Sequence, residues 1–141
     1  MGASSRNTRR VPLLMRGAVL LMAVPMAAAF AQQGHPLVGS WSGDWGTNPD
    51  ERHRVLLLLD YDGDRITGVI NPGRASVALT SATLDPQTWS VRLEAAASEQ
   101  TGGVRYLIEG RIENLGSITE RTIVGTWAQG NEQGDFRIVM N

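Results

Sequence analysis

Two Gly-x-Trp triplets bracket the foldable part of this chain, Gly39-Ser40-Trp41 near its start and Gly125-Thr126-Trp127 near its end. Each opens a run in which apolar and polar residues alternate, the pattern of a half-buried strand. A chain that begins and ends this way is expected to form a small meander that closes on itself, first strand beside last. Closure of that kind leaves one interior and few places for chemistry.

Alternation continues between the triplets, and no window after residue 32 sustains a 3.6-residue apolar repeat. Strands are expected over 37–45, 53–61, 65–71, 75–84, 88–96, 104–113, 119–129 and 135–140. The breaks carry turn chemistry: Asp62-Gly63, Asn71-Pro72-Gly73, Asp85-Pro86, Thr101-Gly102-Gly103, Asn114-Leu115-Gly116 and Gly130-Asn131. Asp62-Gly63 fits the centre of a two-residue hairpin turn. The Ala-rich patch from Glu94 to Glu99 is too short to stand as a helix.

Parity assigns the inner face. Trp89, Val91, Leu93 and Ala95 share one side of their strand and Ser90, Arg92 and Glu94 the other. Tyr106, Ile108, Gly110 and Ile112 oppose Arg105, Leu107, Glu109 and Arg111, and Phe136, Ile138 and Met140 oppose Arg137 and Val139. One apolar and one charged face per strand suits an antiparallel sheet wrapped around a single core. An outer-membrane barrel reverses that arrangement and is rejected. The expected fold is all-β, an antiparallel up-and-down meander barrel of about eight strands or a strongly coiled sheet. A sandwich is the alternative, disfavoured because its crossings need longer connections.

The first 31 residues read as a cleaved secretory leader. Arg6, Arg9, Arg10 and Arg16 form a basic start, an apolar stretch runs from Gly17 to Phe30, and Ala29-Phe30-Ala31 is a small-x-small cleavage site. That stretch is shorter than the roughly 20 residues of a membrane-spanning helix, and Pro25 interrupts it. Residues 32–36 are expected to be a flexible stub and 37–141 a single domain, periplasmic or secreted. Removal of the leader takes four of 13 basic residues, leaving nine against 14 acidic ones, so the net charge moves from −1 to −5. No Lys/Arg run remains, which argues against nucleic acid, whose phosphates need clustered cations. The chain contains no Cys, which excludes disulfides, a thiol nucleophile and a Cys-based metal site.

Gly39-Ser40-Trp41, with Trp45 on the same face, resembles the first strand of lipocalins and avidin-type barrels. In those families the Trp packs across one end of the barrel. Gly43 stands where avidin-type proteins carry an Asn of their biotin site, so biotin is not expected here. The pattern around Gly43-Asp44-Trp45-Gly46, Ile70-Asn71-Pro72-Gly73, Ala82-Thr83-Leu84-Asp85 and Gly125-Thr126-Trp127 is similar to that of small exported bacterial β-barrel proteins of uncharacterised function. That resemblance implies a fold and supplies no activity.

Candidate chemistry is sparse. Asp60, Asp62 and Asp64 around Gly63 suggest a calcium loop, but the sixth and twelfth positions counted from Asp60 hold Arg65 and Asn71 instead of Gly and Glu. They read as a solvated turn. His35 and His53 form no metal-binding pair, and the serines lack a His partner. Neither catalysis, metal nor cofactor is expected. The aromatic residues are the remaining signal, because Trp41, Trp45, Trp89, Tyr106, Trp127 and Phe136 all fall on inward faces. Either they fill the barrel, or some line a pocket at its mouth. The preferred expectation is a non-catalytic exported barrel that binds a small apolar, aromatic or sugar ligand through Trp41, Trp45, Tyr106 and Trp127, with Asn71 as a rim donor. The alternative is a protein-interaction module, a periplasmic inhibitor or envelope accessory protein with a filled core. It would act through an exposed edge or the run Leu56–Leu59, which is apolar on both faces, with a homo-oligomer or protein partner met through Leu56 and Leu58.

Overall fold

The structure, a computed structural model, describes residues 34–141, so the expected leader and Gln32 and Gln33 lie outside the described residues. Nine strands form one antiparallel sheet: β1 (Gly39–Asn48), β2 (Glu51–Tyr61), β3 (Ile66–Ile70), β4 (Val77–Ala78), β5 (Ser81–Asp85), β6 (Ser90–Ala95), β7 (Tyr106–Glu113), β8 (Thr122–Gln129) and β9 (Glu132–Met140). Their order is β4-β3-β2-β1-β9-β8-β7-β6-β5, a meander closed by its first strand against its last. Trp41 pairs with Met140 and Trp45 with Phe136 along that seam. The sheet is strongly curled around a core that includes Trp41, Leu57, Ile70, Leu93, Ile108, Trp127 and Ile138.

The expected all-β class and the first-to-last closure therefore hold, and the strand expected over 75–84 is two. Leu79 donates its N–H to the Gly68 carbonyl on β3, whereas Thr80 donates its N–H to the Glu94 carbonyl on β6. One segment thus hands its pairing from one end of the sheet to the other. Two boundaries also move. Trp89 has φ +59° and donates its N–H to the Asp85 carbonyl, so it ends the β5–β6 loop instead of extending β6. Asp62 N–H donates to the Arg65 carbonyl, which places Gly63-Asp64 at the hairpin's centre, one residue later than the expected Asp62-Gly63.

The glycines of the two Gly-x-Trp triplets are there for different reasons. Gly39 has φ +143°, a conformation that L side chains rarely adopt. Gly125 lies opposite Gly110 on β7, and a Cβ on it would stand 2.0 Å from the Glu109 carbonyl oxygen. Backbone from two strands meets there, so close strand approach under tight curling is what this glycine provides.

One end of the sheet is stoppered. Leu37 and Trp41 are fully buried, and the Trp41 Nε1–H donates to the Leu37 carbonyl at 2.8 Å. Arg121 donates through Nη1 to the Pro36 carbonyl at 3.0 Å and through Nη2 to the Leu115 carbonyl at 3.1 Å. His35 stacks on Tyr61 with ring centroids 5.5 Å apart, and its Nδ1 accepts the Leu37 N–H at 3.2 Å. His35 and Pro36 are half-buried beside Leu37 at this end, while Gly34 is exposed.

Gly125→Ala is expected to destabilise the fold by about 2 kcal/mol or more, since the opposing carbonyl belongs to backbone and cannot rotate away. A thermal melt should show a fall of about 10 °C, while exposed Thr126→Ala beside it should change stability by less than about 0.5 kcal/mol. Burial holds the His35 imidazole pKa below its ordinary value. The unfolded chain therefore takes up that proton first, and the stopper's contribution is full above about pH 6.5 and lost as pH falls through the lowered value. Melting temperature should drop over this window in the wild type. His35→Asn, whose Oδ1 can still accept the Leu37 N–H, should remove that step. It should leave the more acidic limb, where Asp135 and Glu94, held low by Arg52 and by Arg105 and Arg92, take up protons.

Candidate functional site

The end opposite the stopper is built from the end of β1, the start of β2, the end of β3, the start of β7 and the β8–β9 hairpin. A cleft of about 340 Å³ opens there. Trp45, Ile70, Tyr106 and Trp127 form its floor and wall, and His53, Arg54, Asn71, Gln129 and Glu132 supply polar groups around it.

Strand register explains the aromatic cluster. β9 lies between β1 and β8, and its Phe136 is opposite both Trp45 and Gly125. Trp127 is opposite Gly134, which has no side chain. The rings flanking β9 can therefore meet, and Trp45 and Trp127 stack with centroids 5.6 Å apart and planes 17° from parallel. Phe136 meets Trp127 edge-on at 6.0 Å, and Tyr106 is tilted against Trp127 at 6.2 Å. His53, paired with Trp45 across the β1–β2 hairpin, extends the cluster at 5.5 Å. Contacts of this kind contribute about 0.5–1.5 kcal/mol each beyond burial.

Trp127 is only 2% exposed, and its Nε1–H is buried without a hydrogen-bond partner among the described residues. An unsatisfied buried donor costs about 1–3 kcal/mol, and a second one, the Arg121 Nε–H, lies at the stoppered end. Trp41, the other fully enclosed indole, has its partner in the Leu37 carbonyl.

Asn71 is fixed at the rim. It has φ +48°, its N–H donates to the Leu56 carbonyl at 2.7 Å, and its Oδ1 accepts the Leu56 N–H at 3.0 Å. The side chain thus substitutes for backbone where β3 ends, which leaves Nδ2 as its donor to the cleft. Burial raises the Tyr106 phenol pKa, so the hydroxyl keeps its proton at neutral pH. Arg54 and Glu132 join no ion pair among the described residues, whereas neighbouring Arg52 donates from Nη2 to Asp44 at 2.5 Å and from Nη1 to Asp135 at 2.7 Å. That fork ties β2 to β1 and β9 beside the opening.

Four of the five expected ligand residues, Trp45, Asn71, Tyr106 and Trp127, line this one cleft. Trp41 does not. It is sealed under Leu37 at the opposite end, so it offers no stacking surface. Trp45 is 9% exposed, which makes the indoles a floor more than an open platform. His53, Arg54, Gln129 and Glu132 were not anticipated. The hairpin offered a signal for the first two, because Trp45 near its turn had to face a residue at the start of β2.

Other candidates resolve plainly. The Asp62 carboxylate accepts the N–H groups of Asp64 and Arg65, which hold its pKa low and make it part of the turn. His35 and His53 sit at opposite ends, and no group of three potential metal ligands converges among the described residues. Depressions of about 470, 490, 450 and 460 Å³ on the outer face are larger than the cleft. They are furrows over Gly43, Gly110, Gly134 and Gly68; the first shares Arg54 and Asn71 with the cleft, and the third borders Trp127. Leu56 is half-buried and Leu58 is 38% exposed on the outside of β2.

Comparison with protein families, with curated proteins and with solved structures finds no match to this chain.

Proposed function

We propose that the protein is an exported, non-catalytic binding module that holds a small molecule in the cleft at the open end of its curled sheet. The observation that carries this reading is the convergence of Trp45, Tyr106 and Trp127 with the polar side chains of His53, Arg54, Asn71, Gln129 and Glu132 around one cleft. A stacked aromatic floor offers apolar contact, and polar groups at the margin fix orientation, the usual division of labour in a small-molecule site. Export follows from the leader-like sequence of residues 1–31.

A second reading, a protein-interaction module, draws on the outside of β2. Leu58 is paired with Val69, and Val69 with Ala78, so a short apolar row runs to the sheet edge.

Native mass spectrometry of protein expressed with its own leader separates the two. A discrete small added mass that Asn71→Asp reduces is the expected result, because Asp keeps the acceptor for Leu56 N–H and removes the Nδ2 donor. A bare monomer with no adduct contradicts the binding reading. A dimer or protein adduct that Leu58→Ser abolishes shifts the function to the outer face.

A further inference from the structure

Building on the reading of the cleft as a small-molecule site, we infer that its ligand is a neutral saccharide, bound through one or two pyranose rings. The argument proceeds by chemistry of the lining. An acyl chain needs a wall without polar atoms, yet five of the nine lining residues are imidazole, amide or charged side chains: His53, Arg54, Asn71, Gln129 and Glu132. A flat aromatic molecule needs a slot between rings, and here Trp45 and Trp127 already stack on one another at 5.6 Å. A charged ligand needs a surplus of one sign. The cleft instead has one basic and one acidic residue at its margin, Glu132 and an Arg54 shared with the outer furrow beside Asp44, neither paired among the described residues.

Hydroxyl groups satisfy all of these side chains together, since each both donates and accepts. Asn71 and Gln129 are planar amides, and Arg54 and Glu132 are planar ions; all suit adjacent hydroxyls of one ring. Half-buried Tyr106 and exposed His53 give a sugar's C–H face an aromatic surface without intercalation. The volume, about 340 Å³, lies at the lower end of the range of about 300–1,000 Å³ for small-molecule sites.

The test is a titration followed by intrinsic tryptophan fluorescence. The neutral probes are glucose, galactose, mannose, N-acetylglucosamine and their β-1,4-linked disaccharides; the contrasting probes are galacturonate, laurate and indole. A saturable change with at least one neutral sugar, weakened about 10-fold or more in Asn71→Asp at unchanged melting temperature, is the expected result. Saturation by galacturonate alone overturns neutrality. A response to laurate or indole alone overturns the saccharide and leaves the cleft as the binding site. No response to any sugar up to about 50 mM also overturns it, while a native adduct, if seen, keeps the binding reading alive independently.

Discussion

Pairing of the first strand with the last is the constraint on which the rest of this structure depends. β9 can reach β1 only if the sheet curls through every strand between, and the curl requires backbone to approach backbone at Gly125. The same seam sets the two ends. At one, Trp41 beside Met140 accepts the cover of Leu37; at the other, Trp45 and Trp127 meet across β9. A meander without that pairing would leave both tryptophans on remote strands and would have neither stopper nor cleft.

The two ends differ in how they treat an indole N–H. At the stoppered end, Trp41 donates to a carbonyl that the chain itself brings over the ring. At the open end, Trp127 is as deeply enclosed and has no such carbonyl. Folding has therefore solved the same problem once and left it unsolved once, beside a rim of hydrogen-bonding side chains. Native structures satisfy nearly all buried polar groups; among the described residues two side-chain donors stand without a partner, Trp127 Nε1 at the open end and Arg121 Nε at the stopper.

Much of the fold was legible because strand parity is a strong signal wherever one face is buried. It placed Val91, Leu93 and Ala95, Ile108 and Ile112, and Phe136 and Ile138 inward, as the structure has them. Parity says nothing about position along the barrel axis. Trp41 and Trp45 share a face, yet four residues separate them by about 13 Å along a strand, enough to put one under the stopper and the other at the cleft. The division of 75–84 into β4 and β5 was hidden for another reason. It depends on which neighbour each half finds, a property of closure and not of local alternation. Asn71 was readable as a turn residue in Asn-Pro-Gly. Its second role, with Oδ1 committed to Leu56 and Nδ2 left over, appears only once β2 lies beside it.

The most direct measurement compares indole N–H resonances in the ¹H–¹⁵N spectrum of protein as recovered and after unfolding, dialysis and refolding. Trp127→Phe assigns one signal, and Trp41, held by the Leu37 carbonyl, serves as internal reference. The account predicts that the Trp127 resonance moves when the bound molecule is stripped away and that the Trp41 resonance stays. An adduct lost on stripping with the Trp127 resonance unmoved would contradict it, placing the ligand elsewhere on the molecule.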